Sequence, residues 1–416
     1  MLSKIRLITT VSASLEFFDF TLLIFLAPVI AHHFFPAESG IHGIMPVLMV
    51  FFAGYLARFV GGVLFGHFGD VIGRKQFYMY SITLMSLSTL AIGLLPSFAV
   101  WGALAPWSLL LLRIFQGISL GGEVPGSVIF ASEYADTRKR AVATGLVVFG
   151  VTFGNVLASG MVSALYSVLG EQTVYEWGWR LAFIIGSLLG FISLWLRRSL
   201  NETPVYQKMS RQKHSNLPLS TLSAHHKLPV VQGFLLSAIP AVGISTLLFM
   251  PRFQKAYLQG TDLGGSFNTM IAFLLLATIA LLTALVIDKK SRIPLIKAGS
   301  LLLIITVPLS FYVLIYFHIP LMLALLPLIL SVGMIMGIYE VCLVELFPTE
   351  VRFSGISICH NLAFSLFGGV TPLLLEWASS HGWVMTIGLL PMLFGIALLA
   401  VSPGWKDHYH TSLLEI

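Results

Sequence analysis

Apolar stretches of roughly 20–25 residues, each long enough to cross a bilayer, follow one another along almost the whole chain. Only short polar turns separate them, apart from one longer polar stretch, Asn201–Lys227. Inside hydrocarbon every backbone polar group needs a partner within its own element, so such stretches fold as helices. Composition agrees: 57% of the 416 residues are apolar or aromatic and 10% are charged, where a soluble domain carries roughly 25% charged residues. A mean hydropathy of +0.90 leaves too little polar surface to cover a soluble core. We expect an all-α integral membrane protein of twelve transmembrane helices. The pattern places them near 7–35, 41–68, 76–98, 103–133, 141–169, 180–198, 229–257, 264–287, 293–317, 320–346, 355–378 and 382–402.

The net charge of +6 invites a nucleic-acid reading, and the placement of the basic residues rejects it. With the N-terminus cytoplasmic, most Lys and Arg fall on that face, including Arg74, Lys75, Arg138, Lys139, Arg140, Lys289, Lys290, Arg292 and Arg352. Near the other face stand Arg180, Arg252 and Lys255. The positive-inside rule then sets both termini in the cytoplasm of a multi-pass protein of the cell inner membrane. The first apolar stretch carries Glu16 and Asp19 and has no persuasive cleavage site, so it reads as a retained helix.

The chain also repeats itself. Gly66-His67-Phe68-Gly69-Asp70-Val71-Ile72-Gly73-Arg74-Lys75 closes one apolar span and opens the next. A worn copy, Ala284-Leu285-Val286-Ile287-Asp288-Lys289-Lys290-Ser291-Arg292, does the same about half a chain later. Glu133 followed by Arg140 is echoed at the same spacing by Glu345 and Arg352. Two motifs repeated at nearly one offset imply homologous halves, an organisation common in secondary transporters. The expected domains are two pseudo-symmetric six-helix bundles, 1–200 and 228–416, joined by a cytoplasmic linker over 201–227.

Enzyme chemistry finds no footing. There is no Walker motif, and no catalytic, cofactor or metal-ligating constellation stands out. His225-His226 lack a third ligand, and Cys342 and Cys359 read as apolar fillers within helices.

The chain resembles the major facilitator superfamily, and within it the metabolite:proton symporter branch that includes proline/betaine, α-ketoglutarate, shikimate and citrate permeases. The resemblance runs through Leu15-Glu16-Phe17-Phe18-Asp19-Phe20, Arg58-Phe59-Val60-Gly61-Gly62 and the Gly66–Lys75 motif. It continues through Arg113-Ile114-Phe115-Gln116-Gly117 to Gly121-Gly122-Glu123, then Trp177-Gly178-Trp179-Arg180 and Glu202-Thr203-Pro204. The second half adds Glu345-Leu346-Phe347-Pro348-Thr349 with Arg352, and Asn361-Leu362-Ala363 with Phe367-Gly368-Gly369 and Pro372. Phe59 and Ala182 stand where the branch commonly has proline, and the second-half motif has lost its glycines.

Charges inside a membrane cost about 2.5–3.5 kcal/mol on insertion scales, so they are functional candidates. Glu16 and Asp19 share a face of helix one, and Arg113, Gln116 and Glu123 share a face of helix four. We expect these groups to face a shared cavity, with Asp19, Arg113, Glu16 and Glu123 as the proton-coupling set. Desolvation favours a protonated carboxylate and a nearby arginine the ionised one, so a contact of Asp19 with Arg113 that forms and breaks would move a proton. The resemblance supports that pair. The expected substrate-binding residues are Arg58, Arg113, Gln116, Asn155, Tyr339, Glu340 and Asn361, with His360 beside the last. Guanidinium groups hold carboxylates bidentately, which fits a zwitterion or a small carboxylate.

The resemblance also implies a cytoplasmic gate of Gly66, Asp70, Gly73, Arg74, Glu133 and Arg140. Asp288, Arg292, Glu345 and Arg352 form its weaker counterpart. Phe249, Phe253 and Tyr257 on helix seven read as packing, and Arg252 as a group able to attract anions at the outer mouth. The expected function is import of a small polar metabolite with protons by alternating access, in a monomer that needs no cofactor and binds no nucleic acid. Proton-antiport efflux of a metabolite, metal-chelator or drug is the alternative, and a non-transporting receptor a distant one.

Overall fold

The computed structural model describes residues 2–39, 42–72, 74–136, 139–198, 226–258, 260–288, 290–348, 351–405, 407–408 and 411, with side chains left out at 2–6, 38, 65–72, 74–78 and 197–198. Among the described residues there are helices and turns and no strands. The spanning elements of the first half are α1 (Leu2–Phe25, resuming as Ala27–Phe34), α2 (Ile44–Ile72), α3 (Arg74–Leu94), α4 (Leu104–Leu120, resuming as Glu123–Glu133), α5 (Arg140–Thr173) and α6 (Trp179–Arg198). Those of the second half are α7 (Lys227–Tyr257), α8 (Asp262–Ile287), α9 (Ile293–Phe317), α10 (Leu321–Leu346), α11 (Arg352–Ala363, resuming as Gly369–Ser380) and α12 (Thr386–Val401).

Several expected spans are interrupted, each for a local reason. Gly170 (φ 77, ψ 161) ends the helical part of α5 and turns the chain back through a π-helical segment, Val174–Gly178, into α6. Only glycine takes that backbone without strain. The first helix breaks at Leu26, just before Pro28. The third stops at Leu94, short of the expected 98. In α4 the break falls at Gly121-Gly122, and in α11 a π-helical Phe364–Gly368 replaces regular helix.

Proline explains the last two, because it cannot donate to the carbonyl four residues earlier and its ring crowds that oxygen. Pro372 thereby frees the Gly368 carbonyl, which accepts from Ser245 Oγ on α7 at 2.7 Å. Pro125 frees the Gly121 carbonyl, which accepts from Asn361 Nδ2 on α11 at 2.8 Å. The second of these bonds joins the two halves.

The halves meet most extensively along two helix pairs. α5 packs on α8, where a Cβ on Gly145 would stand 2.4 Å from the Ala284 Cβ and one on Gly160 3.1 Å from Met270 Sδ. α2 packs on α11, with Gly368 and Gly369 against Tyr55 and Phe52. Without a hydrophobic drive between helices in lipid, such close approach through small residues supplies the association.

Candidate functional site

The charged residues of the first half do not gather in one cavity. Asp19 is buried on α1 and faces α3 and α6: Thr89 Oγ1 lies 3.4 Å from its Oδ2, and Cβ atoms on Gly186 and Gly190 would stand 2.4 and 3.3 Å from its carboxyl oxygens. Among the described residues its Oδ1 has no hydrogen-bond partner. Glu16, three residues earlier on the same face, is approached by Ser193 Oγ of α6 at 3.4 Å. Glu123 accepts from Ser81 Oγ of α3 at 2.7 Å, and the same hydroxyl lies 2.6 Å from the Ser119 carbonyl. Both carboxylates are buried in the seams between helices of one half.

Arg113 on α4 is fully buried, and among the described residues it makes no ion pair with Asp19. Its guanidinium lies 3.8 Å from the Phe20 ring centre and 5.0 Å from that of Phe51, a cation–π seat. Nη1 donates to Gln116 Oε1 at 3.0 Å, Gln116 Nε2 donates to Thr89 Oγ1 at 2.8 Å, and Thr89 reaches Asp19. The two charges are therefore joined by a relay. The single Thr89 proton has a shorter partner in the Met85 carbonyl at 2.9 Å. When it points there, Asp19 can complete the relay only by carrying a proton and donating it to Thr89 Oγ1. Among the described residues Nε and Nη2 of Arg113 have no hydrogen-bond partner.

Arg58 on α2 takes the opposite direction. Its Nε donates to Asn361 Oδ1 at 3.1 Å and its Nη2 bonds His360 Nε2 at 2.7 Å, both on α11. His360 Nδ1 lies 3.1 Å from Glu340 Oε1 on α10. The imidazole stacks between Phe364, 4.5 Å away, and Tyr339, 6.1 Å away. Asn155 on α5 is buried with Oδ1 unpartnered, its Nδ2 donating weakly to the Val151 carbonyl at 3.4 Å. The expected substrate residues thus fall in two groups: Arg113 with Gln116 inside the first half, and Arg58, Asn361, Glu340 and Tyr339 across the halves.

Where α5 begins and α10 ends, Glu345 on α10 bridges two arginines, Arg140 of the first half at 2.9 Å and Arg292 of the second at 3.2 Å. Asp288 caps α5 across the interface, accepting from the Ala141 and Val142 amides at 2.7 and 3.3 Å. A carboxylate belongs there, at the positive end of the helix dipole. Burial pushes its carboxyl up, and the two amides, then Arg292 and Arg140, draw it back down. Arg352 Nε spans the Val344 and Phe347 carbonyls at 3.0 Å each, holding the end of α10. The second-half set is therefore fully engaged. Glu133 on α4 has partners within the fold. The side chains of Asp70 and Arg74, the surroundings of Gly66, and Gly73 as a whole lie outside the described residues.

At the opposite end of the bundle, Arg252 is held bidentately by Glu376, with its closest contact at 2.7 Å, instead of standing free for anions. Lys255 pairs with Asp262 and reaches across to Glu171 of the first half at 3.5 Å. A cleft opens there between Ile24, Pro28, Leu48, Phe249 and Lys255. Phe249 and Phe253 are buried packing residues, as expected.

Thr89, Ser81, Lys255 and Glu171 carry links that sequence reasoning missed. Hydroxyls in apolar helices usually bond their own helix backbone, and nothing in the pattern marks these two hydroxyls as different.

Residues 9–372 match the family model described as Major Facilitator Superfamily. The chain is 32% identical over 410 residues to the inner membrane metabolite transport protein YhjE of Escherichia coli (strain K12), covering 96% of this chain and 93% of that protein. It is 30% identical over 405 residues to the proline/betaine transporter of Salmonella typhimurium, covering 92% of this chain and 81% of that one. The fold aligns with the proton:xylose symporter XylE bound to 6-bromo-6-deoxy-D-glucose at a TM-score of 0.81 and 19% identity, over 100% of this chain and 98% of that chain. It aligns with the partially occluded inward-open XylE from E. coli at 0.77 and 20% identity, over 99% of each chain. The protein is a membrane-spanning transporter, and it belongs to the major facilitator superfamily.

Proposed function

We propose that the protein is a proton-coupled symporter that imports a small zwitterion or carboxylate by alternating access. The observation that carries this reading is the buried relay from Arg113 through Gln116 and Thr89 to Asp19. A buried carboxylate, joined by hydrogen bonds to an arginine whose Nε and Nη2 have no partner among the described residues, can exchange a proton in response to an anion bound at that arginine. A substrate carboxylate on Arg113 lowers the guanidinium's pull along the relay and favours a proton on Asp19. Glu16 and Glu123 supply the negative surroundings that keep the proton nearby. The proline/betaine relative and the proton:xylose fold neighbour lend the reading support by analogy.

In this reading bundles 1–200 and 228–416 rock about the site, with 201–227 as a cytoplasmic linker. Both termini face the cytoplasm of an inner membrane, and a monomer suffices. Arg58, Arg113, Gln116, Asn155, Tyr339, Glu340 and Asn361 contact substrate. Asp288, Arg292, Glu345 and Arg352, together with Glu133, Arg140, Gly66, Asp70, Gly73 and Arg74, close the inner side.

The test starts from a thermal-shift screen with proline, glycine betaine and small di- and tricarboxylates, since a ligand of the folded state raises its stability. The stabilising compound is then added to proteoliposomes in weakly buffered medium. Symport makes the outside more alkaline. Acidification points to antiport efflux, and no pH change points to a receptor; either result overturns the proposal.

A further inference from the structure

We infer that His360 is a proton-operated release for the inner gate, a role that rests on the alternating-access reading above. Three hydrogen bonds cross between the halves in one layer: Arg58 to His360, Arg58 to Asn361, and Asn361 to the Gly121 carbonyl that Pro125 leaves free. Asn361 enters this layer because Gly62 has no side chain, and a Cβ there would stand 2.3 Å from its Nδ2. α2 and α11 cannot part at this level until these bonds break.

The geometry fixes the state of the imidazole. Arg58 Nη2 is always a donor, so at 2.7 Å His360 Nε2 must present its lone pair. The ring proton then sits on Nδ1, toward Glu340 Oε1 at 3.1 Å. This neutral tautomer satisfies Arg58 and leaves Glu340 within electrostatic reach of Nδ1, without a formed hydrogen bond. A proton added to Nε2 removes the acceptor and sets two cations and two donors face to face. Glu340 keeps its contact and balances the new charge, and the Phe364 and Tyr339 rings flank it. Protonation therefore breaks the bond to the first half and turns the 3.1 Å contact with Glu340 into an ion pair within the second.

The groups that bear on His360 come from every neighbouring element. α2 brings Arg58, and α10 brings Glu340 and Tyr339. α4 brings Glu123, held by Ser81, beyond Arg58. α1 brings Phe17, whose ring centre lies 5.7 Å from the Arg58 guanidinium, with Glu16 next to it in sequence. α7 packs at Cys359 through Gly233 and carries its charges only at its ends, Lys227, Arg252 and Lys255. One arginine and one carboxylate thus hold opposite sides of one ring, on opposite sides of the interface. In a transport cycle the proton binds Nε2 while the inner side is shut, and the layer parts. The proton leaves to the cytoplasm, and Arg58 retakes the lone pair on closing. Loss of a hydrogen bond to a charged group favours the open form about ten- to hundredfold.

The experiment measures distance distributions between spin labels on Lys139→Cys and Lys227→Cys, exposed cytoplasmic positions in opposite halves. The protein is held in lipid nanodiscs, and its native thiols Cys342 and Cys359 are buried. Lowering the pH from about 8 to 5.5 should raise the ratio of long to short distances about tenfold or more in the parent protein. His360→Gln keeps an acceptor for Arg58 and a donor for Glu340 but cannot titrate, and should cut that shift to about threefold or less. His360→Lys, a fixed cation, should show the long distance at both pH values. Asp19→Asn should keep the shift. A His360→Gln shift equal to the parent's, or a His360→Lys protein that stays closed, overturns the assignment while leaving alternating access intact. A parent protein with one distance under every pH and ligand condition overturns both.

Discussion

Two buried arginines of the first half, Arg113 and Arg58, meet the same problem of a charge within a membrane and solve it differently. Arg113 turns inward, rests on Phe20 and Phe51, and reaches Asp19 through two polar side chains of its own half. Arg58 turns toward the interface, and among the described residues its hydrogen bonds go to His360 and Asn361 of the second half. The first relay can change its protonation without any movement of the halves. The second cannot survive their separation. In the proposed reading, substrate-linked proton exchange belongs to the first relay and proton-triggered opening to the second, the two linked through α4, whose first segment carries Arg113 and ends at Gly121.

The comparison breaks most readily at the inner face. Glu345→Ala leaves Arg140 and Arg292 buried without their shared carboxylate, a loss of about 3–5 kcal/mol. We expect the Lys139–Lys227 label distance to lengthen at every pH and the melting temperature to fall; an unchanged distance would remove Glu345 from the latch. Gly62→Val drives a methyl into Asn361 and costs about 1–3 kcal/mol by overpacking. The long-distance population should rise about tenfold. Gly186→Ala makes a similar intrusion beside Asp19, inside one half. It should impair ligand-driven proton uptake and leave the label distances alone, and lengthened distances would blur the division between the two relays. The smallest effect is expected for Thr89→Val, which deletes one link worth about 1 kcal/mol. Ligand accumulation in proteoliposomes should fall roughly fivefold at unchanged ligand-induced thermal shift.

The fold was legible because bilayer crossing imposes length and apolarity on each span. α9 occupies the expected 293–317, and α7 and α10 start within two residues of expectation. The interruptions were less legible, because proline acts through a carbonyl four residues away whose new partner lies on another helix. Gly121 could be read as a packing glycine, yet nothing local says that Asn361 would take its oxygen. Candidate charges were found by their rarity in apolar helices. Their directions were not, since a face of α1 can point at the interface or at α6 with equal periodicity. Asp19 and Arg113 were expected to form and break a contact, and in this structure they are apart. The hydroxyl of Thr89 and the amide of Gln116 stand between them, and hydroxyl residues are too common in these helices to signal such a role.

The division between the relays is tested most directly by Asp19→Asn in proteoliposomes, with the ligand found by thermal shift. One assay drives accumulation with an inward proton gradient, and the other follows counterflow exchange without a gradient. The variant should lose gradient-driven accumulation and keep counterflow at near-parental rates. Full accumulation by Asp19→Asn would contradict the placement of proton coupling at the Arg113–Asp19 relay.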